Sequence, residues 1–373
     1  MYLKSLSLFF IGLIFCSCEP PISNNCASEF DQLSLLENIG TNIIAPSYAS
    51  FAQDATTLNT AAISFCNTPN TSTLVDVRSA FQTAWLQWQE TAIFEFGPAE
   101  TEQLRSFMNN FPVFVTRLDE AINSGLYDLN NESYSFARGF PALDYLLYGT
   151  DTSTSAVLNL FGTDANSANR KQYLLDVCNL ISSKATSVYD GWKTDGANYL
   201  FEFTSTEGIA NGKPLSNLVN QLNMAYELIK NNKLGIPISA KTGYLPLLPQ
   251  NVEAYYSRNS LNLAVAAVEA CKKVFMGNAS PGDSTGLDNY LKASGAQKGN
   301  QDLHLAILNQ YDLALSSLAN LQANSLHDAI QNDVENVKVA YAAAQNQMVQ
   351  TKTDMPAALC ISITYIDLVD DGD

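Results

Sequence analysis

Residues 72–93 read STLVDVRSAFQTAWLQWQETAI, and the spacing of their apolar side chains decides the fold class. Leu74, Val77, Phe81, Trp85 and Trp88 recur at intervals of three and four, which places them on one face of a helix. Gly97-Pro98 ends the stretch. The same period returns at Lys171–Trp192, Leu215–Lys230, Asn251–Phe275, Asp302–Gln322 and Leu326–Thr351. Shorter helical pieces lie on either side of Pro46, which is expected to break or restart a helix, and around Pro112. No run of alternating strand residues with hairpin turns is visible. Helices of this length joined by loops pack antiparallel in bundles, so the chain is expected to be all-α, and the helix count fits two four-helix units.

Composition narrows the function class. The chain has 373 residues, 46% hydrophobic and 15% charged, with a formal net charge of −17. That length exceeds what one core normally organises, and the apolar content excludes a disordered chain. Nucleic acid is not an expected partner, because phosphate neutralisation needs clustered Lys and Arg and none occur.

The N-terminus reads as an export signal. A basic head ends at Lys4, an apolar run spans Leu6 to Phe15, and Phe15-Cys16-Ser17-Cys18 resembles a bacterial lipoprotein cleavage box. Residues 1–17 are then a signal peptide, Cys18 the lipidated residue, and 18–28 a polar tether. The expected location is the cell envelope, tethered to a membrane on the periplasmic or surface side. The body divides into a helical region at 29–150, connecting helices and a linker at 151–250, and a second helical region at 251–373. The remaining cysteines, Cys26, Cys66, Cys178, Cys271 and Cys360, lack C-x-x-C spacing, so a zinc cluster is not expected. Cys26 and Cys66 could pair only if the chain folds back at Pro46.

Three constellations could carry chemistry. The first is RGFPALDYLLYG at 138–149, a short packed helix with one acid, Asp144, near its start and Arg138 as a possible partner. The second is the acid pair Glu90 and Glu95, which follows the aromatic stripe. The third is VEAYYSRNSL at 252–261, at the start of a long helix, where Tyr256, Ser257 and Ser260 could cap the helix or supply hydroxyls to a cleft. The two histidines, His304 and His327, start no metal-binding motif. A nucleophile elbow and a glycine-rich phosphate loop are both absent.

Taken in order, Trp85–Pro98, Gly139–Gly149, Tyr256–Leu261 and the tail 361–373 ending in Asp-Gly-Asp resemble the imelysin-like family of exported bacterial proteins, also called insulin-cleaving membrane proteases. The resemblance implies two four-helix-bundle domains packed side by side, with a functional site at their interface. Its hallmark is G-x-H-x-x-E. Gly139 matches the glycine, Pro141 stands where histidine is expected, and Asp144 replaces the glutamate. Proline cannot bind a metal, so the paired ligands are missing. The implied function is a lipid-anchored, non-enzymatic binding protein of iron acquisition or related nutrient uptake, working with outer-membrane uptake components. The alternative is a divergent metallopeptidase. The implied site holds Arg138, Gly139, Asp144, Glu90, Glu95, Tyr256, Ser257 and Ser260. Iron or another divalent cation is the cofactor the resemblance offers, with Asp144 its one weak ligand and no residue assigned to catalysis.

Overall fold

The computed structural model describes residues 29–149, 153–278, 285–321 and 323–365. The leader, the tether, Cys18, Cys26 and the Asp-Gly-Asp tail lie outside them. Seven long helices organise the described residues: α1 (Ala45–Asn67), α2 (Thr71–Thr91), α3 (Ser167–Trp192), α4 (Pro214–Leu228), α5 (Ser260–Met276), α6 (Leu303–Ala319) and α7 (Val334–Val349). The only strands among the described residues are two of two residues each, in an antiparallel hairpin pairing Gln297 with Asp302 and Lys298 with Gln301.

In the first bundle α1 packs against both α2 and α3. The fourth place is filled by short helices at Pro98–Thr101, Leu104–Met108, Val115–Ser124 and Gly139–Asp144, each lying on α3. The sequence enforces that fragmentation. Gly97 and Gly125 adopt positive φ at the boundaries before Pro98 and after Ser124. The second bundle is formed by α4 to α7, and α5 also packs on α2, joining the two halves.

The aromatic stripe of α2 is core. Trp85 and Trp88 are buried, and Phe140 stacks on Trp85 at 5.7 Å between ring centroids while also meeting Phe51 and Phe81. Each such ring contributes about 1.5–3 kcal/mol through burial. The motif helix is thereby locked onto the first bundle through the residue after its glycine.

Proline does not break the first helix. The chain runs from Gln32–Ile39 through a π-helical turn, Gly40–Ile44, directly into α1. The same device precedes Pro237, after the π turn Ile229–Gly235, and Pro356, after Gln350–Asp354. A proline ring crowds the carbonyl four residues back and offers no N–H, and a locally widened turn relieves both problems. Cys66, Cys178 and Cys271 are free, buried thiols, so the Cys26–Cys66 disulfide does not form.

Candidate functional site

Gly139 has a specific reason to be glycine. Its φ is +70°, and a Cβ there would stand 2.2 Å from the Met108 carbonyl oxygen. The motif helix therefore begins pressed against backbone, then passes at Tyr145 into a π turn ending at Gly149. A Cβ on Gly149 would meet the Tyr256 ring at 2.3 Å, so both ends of this segment are close approaches.

Asp144 lies at the end of the α-helical part, not in its first turn as expected, and it is buried. Its two oxygens accept hydrogen bonds from the backbone amides of Tyr256, at 2.8 Å, and Ser257, at 3.0 Å. The carboxylate thus ties the first bundle to the loop that leads into α5. Burial pushes its pKa from 3.8 up to about 6, opposed by the Ser257 hydroxyl and the two amides. The Ser257 hydroxyl is near enough to act on the charge but forms no hydrogen bond of good geometry.

Arg138 does not pair with Asp144. Its guanidinium donates to the Leu129 carbonyl at 2.8 Å and to Ser106, and lies 3.7 Å from the centre of the Phe107 ring. Its nearest acid is Glu132, at 3.7 Å. Arg138 therefore pins loops of the first bundle. Glu90 is also elsewhere, in a half-exposed ion pair with Lys273 at 2.9 Å. Ser260 is buried at the first turn of α5, where its hydroxyl accepts from the Leu326 amide at 2.9 Å and ties α5 to the Leu326–Asn332 helix. Of the expected residues, only Asp144, Tyr256 and Ser257 meet, with Gly139 at the other end of the same helix.

Glu95 lines a different space. A cavity of about 380 Å³ opens between the end of α2, the 104–111 segment, the end of α4 with its π turn, and α5. Trp88, Ile93, Phe111 and Leu228 give it apolar walls, and Glu95, Arg105, Asn109 and Lys233 its polar groups. Both Glu95 oxygens accept from the Arg105 backbone amide, at 3.1 and 3.0 Å. Burial raises the Glu95 pKa, and the nearby Arg105 charge opposes that rise. The Arg105 guanidinium donates to the Ala92 carbonyl and, at 3.1 Å, to Gln221; burial lowers its pKa.

Behind this cavity lies a buried polar network that sequence reasoning did not single out. Glu253, in the loop before α5, forms an ion pair with Lys233 and accepts from Asn109 at 2.7 Å and Gln89 at 3.2 Å. Lys233 also donates to Gln89 at 2.8 Å, and Trp85 donates to Asn109 at 3.2 Å. The loop alternates: Glu253 turns to this network, while Val252 and Ala254 line a second cavity of about 260 Å³ beside Asp144 and Pro141. Phe111 borders both cavities. The available signal was a lone acid between apolar residues at 252–256 and the last lysine of KNNKLG.

A metal does not fit this donor set. Hard cations need several converging oxygens, and iron or zinc sites often add imidazole. Among the described residues, no three His, Cys, Asp or Glu converge. Pro141 supplies no ligand, and Asp144 already serves two amides.

The family model described as imelysin, peptidase M75, matches residues 44–355, and the chain belongs to the imelysin family. Among solved structures it is similar to one from Parabacteroides distasonis described as an iron-regulated protein A precursor, with a TM-score of 0.71 and 16% identity, covering 92% of this chain and 97% of that one. It is also similar to an imelysin-like protein from Psychrobacter arcticum, with a TM-score of 0.67 and 17% identity over 88% and 96% of the two chains. In sequence it is 23% identical over 227 residues to iron-regulated protein A of Synechococcus elongatus, covering 59% of this chain and 57% of that relative.

Proposed function

We propose that the chain is a non-enzymatic binding protein of iron-linked nutrient uptake, holding a small organic ligand in the cavity between its two bundles. The observation that carries this reading is the use made of the peptidase motif. Its histidine position is Pro141, and its acid, Asp144, is a buried acceptor for the Tyr256 and Ser257 amides. A metallopeptidase needs an activated water on a metal, and among the described residues no three His, Cys, Asp or Glu converge to hold one. The adjoining cavity, by contrast, combines apolar walls with a few polar groups in the manner of a small-molecule site.

The iron link rests on the likeness to iron-regulated protein A. The envelope location rests on the leader, with Cys18 as lipid attachment point and outer-membrane uptake components as partners. Among the described residues no helix is long and apolar enough to cross a membrane. Replacing Cys18 with alanine is therefore expected to move the protein from the membrane fraction to the soluble one.

The test of the function is hydrolysis of unfolded peptides by the purified protein supplied in turn with zinc, iron and manganese. No chelator-sensitive cleavage is expected. Cleavage abolished both by chelator and by Asp144→Ala would establish the peptidase reading instead.

A further inference from the structure

Lys233 is neutralised by Glu253 within the buried network, which leaves Arg105 and Glu95 as the charges of the 380 Å³ cavity not accounted for. They do not neutralise each other by contact. Glu95 accepts only the Arg105 backbone amide, while the Arg105 guanidinium spends Nε and Nη2 on the Ala92 carbonyl and the Gln221 side chain. Arg105 makes no ion pair with a described carboxylate, and its Nη1 makes no hydrogen bond to a described residue. One cation and one anion thus line a single space with no ion pair between their side chains, among Trp88, Phe111 and Leu228.

Glu95 and Arg105 are half-buried at this cavity, and a charge partly withdrawn from water gains from a partner of opposite sign. A ligand that satisfies both groups must carry a negative and a positive end and place an apolar body against the rings. The volume lies at the small end of the range for ligand sites.

We infer that the cavity takes a small zwitterion with an apolar body, of the chemical class of a free aromatic or branched aliphatic α-amino acid, its carboxylate on Arg105 and its ammonium on Glu95. The inference rests on the binding-protein reading above and names the ligand class for that site.

The test is calorimetric titration of the purified protein, stripped of bound small molecules by dialysis. The probes are L-phenylalanine, L-leucine, phenylalanine amide, N-acetylphenylalanine and 3-phenylpropionate. Binding of a free amino acid is expected, with at least a tenfold loss when either the carboxylate or the ammonium is blocked or absent. Glu95→Gln should weaken the free amino acid while leaving N-acetylphenylalanine unchanged, a selectivity shift that a general loss of structure does not produce. Arg105→Lys, which keeps the charge, should retain more binding than Arg105→Gln. Equal binding of the blocked and free forms, or no binding by any probe, overturns the zwitterion. Ala225→Phe, which fills the cavity wall, separates the two readings. Free amino acid bound equally by that variant means the cavity itself is wrong, whereas binding lost there but indifferent to blocking spares the cavity and removes only the zwitterion.

Discussion

Asp144 and Ser257, 113 positions apart in the chain, meet through a 3.0 Å hydrogen bond from the Ser257 amide to the Asp144 carboxylate, with the Tyr256 amide on the other oxygen at 2.8 Å. At the position where the family hallmark carries an acid, this chain uses one as a clamp between a bundle and a loop. Asparagine cannot reproduce it, since one end of its amide would present donors to a donor.

The clamp has a pH signature. The Asp144 pKa is raised in the fold, so the folded chain binds the extra proton between about pH 4 and pH 6. The stability this group adds is complete below its unfolded value of 3.8 and is lost as pH rises through about 6. At 1.36 kcal/mol per pKa unit the swing is at most ~3 kcal/mol. Urea unfolding of wild type and Asp144→Asn should therefore show a larger destabilisation at pH 4.5 than at pH 7. A destabilisation that grows with pH would mean that the ionised form is the favoured one.

Gly139→Ala should destabilise the protein by more than ~1 kcal/mol, because the added methyl meets the Met108 carbonyl and the backbone sits at positive φ, whereas alanine at a compatible glycine site adds about 0.4–1 kcal/mol of stability. Thermal unfolding against Gly162→Ala, where nothing lies within 4 Å of the added carbon, gives the comparison. Equal shifts would remove the steric account.

The Lys233–Glu253 pair is buried and shares its hydrogen bonds with Gln89 and Asn109. Removing one partner strands the other charge, so Lys233→Met should cost about 3–5 kcal/mol. The double change Lys233→Met with Glu253→Gln should recover part of it. A double-variant cycle that is simply additive would show that the two do not act together.

The half-exposed ion pair of Glu90 with Lys273 is a different case. Glu90→Gln should change stability by no more than about 1 kcal/mol and leave cavity binding untouched. Chemical denaturation and the calorimetric titration check both halves.

The long helices were legible because their periodicity is local: the expected 72–93 is found as Thr71–Thr91. Failures trace to distant partners or to a single residue. The expected helix from Asn251 begins instead at Ser260, because Asp144 holds the Tyr256 and Ser257 amides, while Ala254 and Arg258 take positive φ. Leu326–Thr351 is two helices, since Asp333, at φ −151°, ends Leu326–Asn332 and starts α7. The cavity could not be read at all. Glu95, Arg105 and Lys233 come from three separated segments, and only the packing of α4 and its π turn on the first bundle brings them together.

Native mass spectrometry of the protein purified from its own envelope reads directly what the cavity holds. One small organic molecule per chain is expected, absent from Ala225→Phe and retained by Glu90→Gln. A stoichiometric metal ion lost in Asp144→Ala, with no organic adduct, would contradict it.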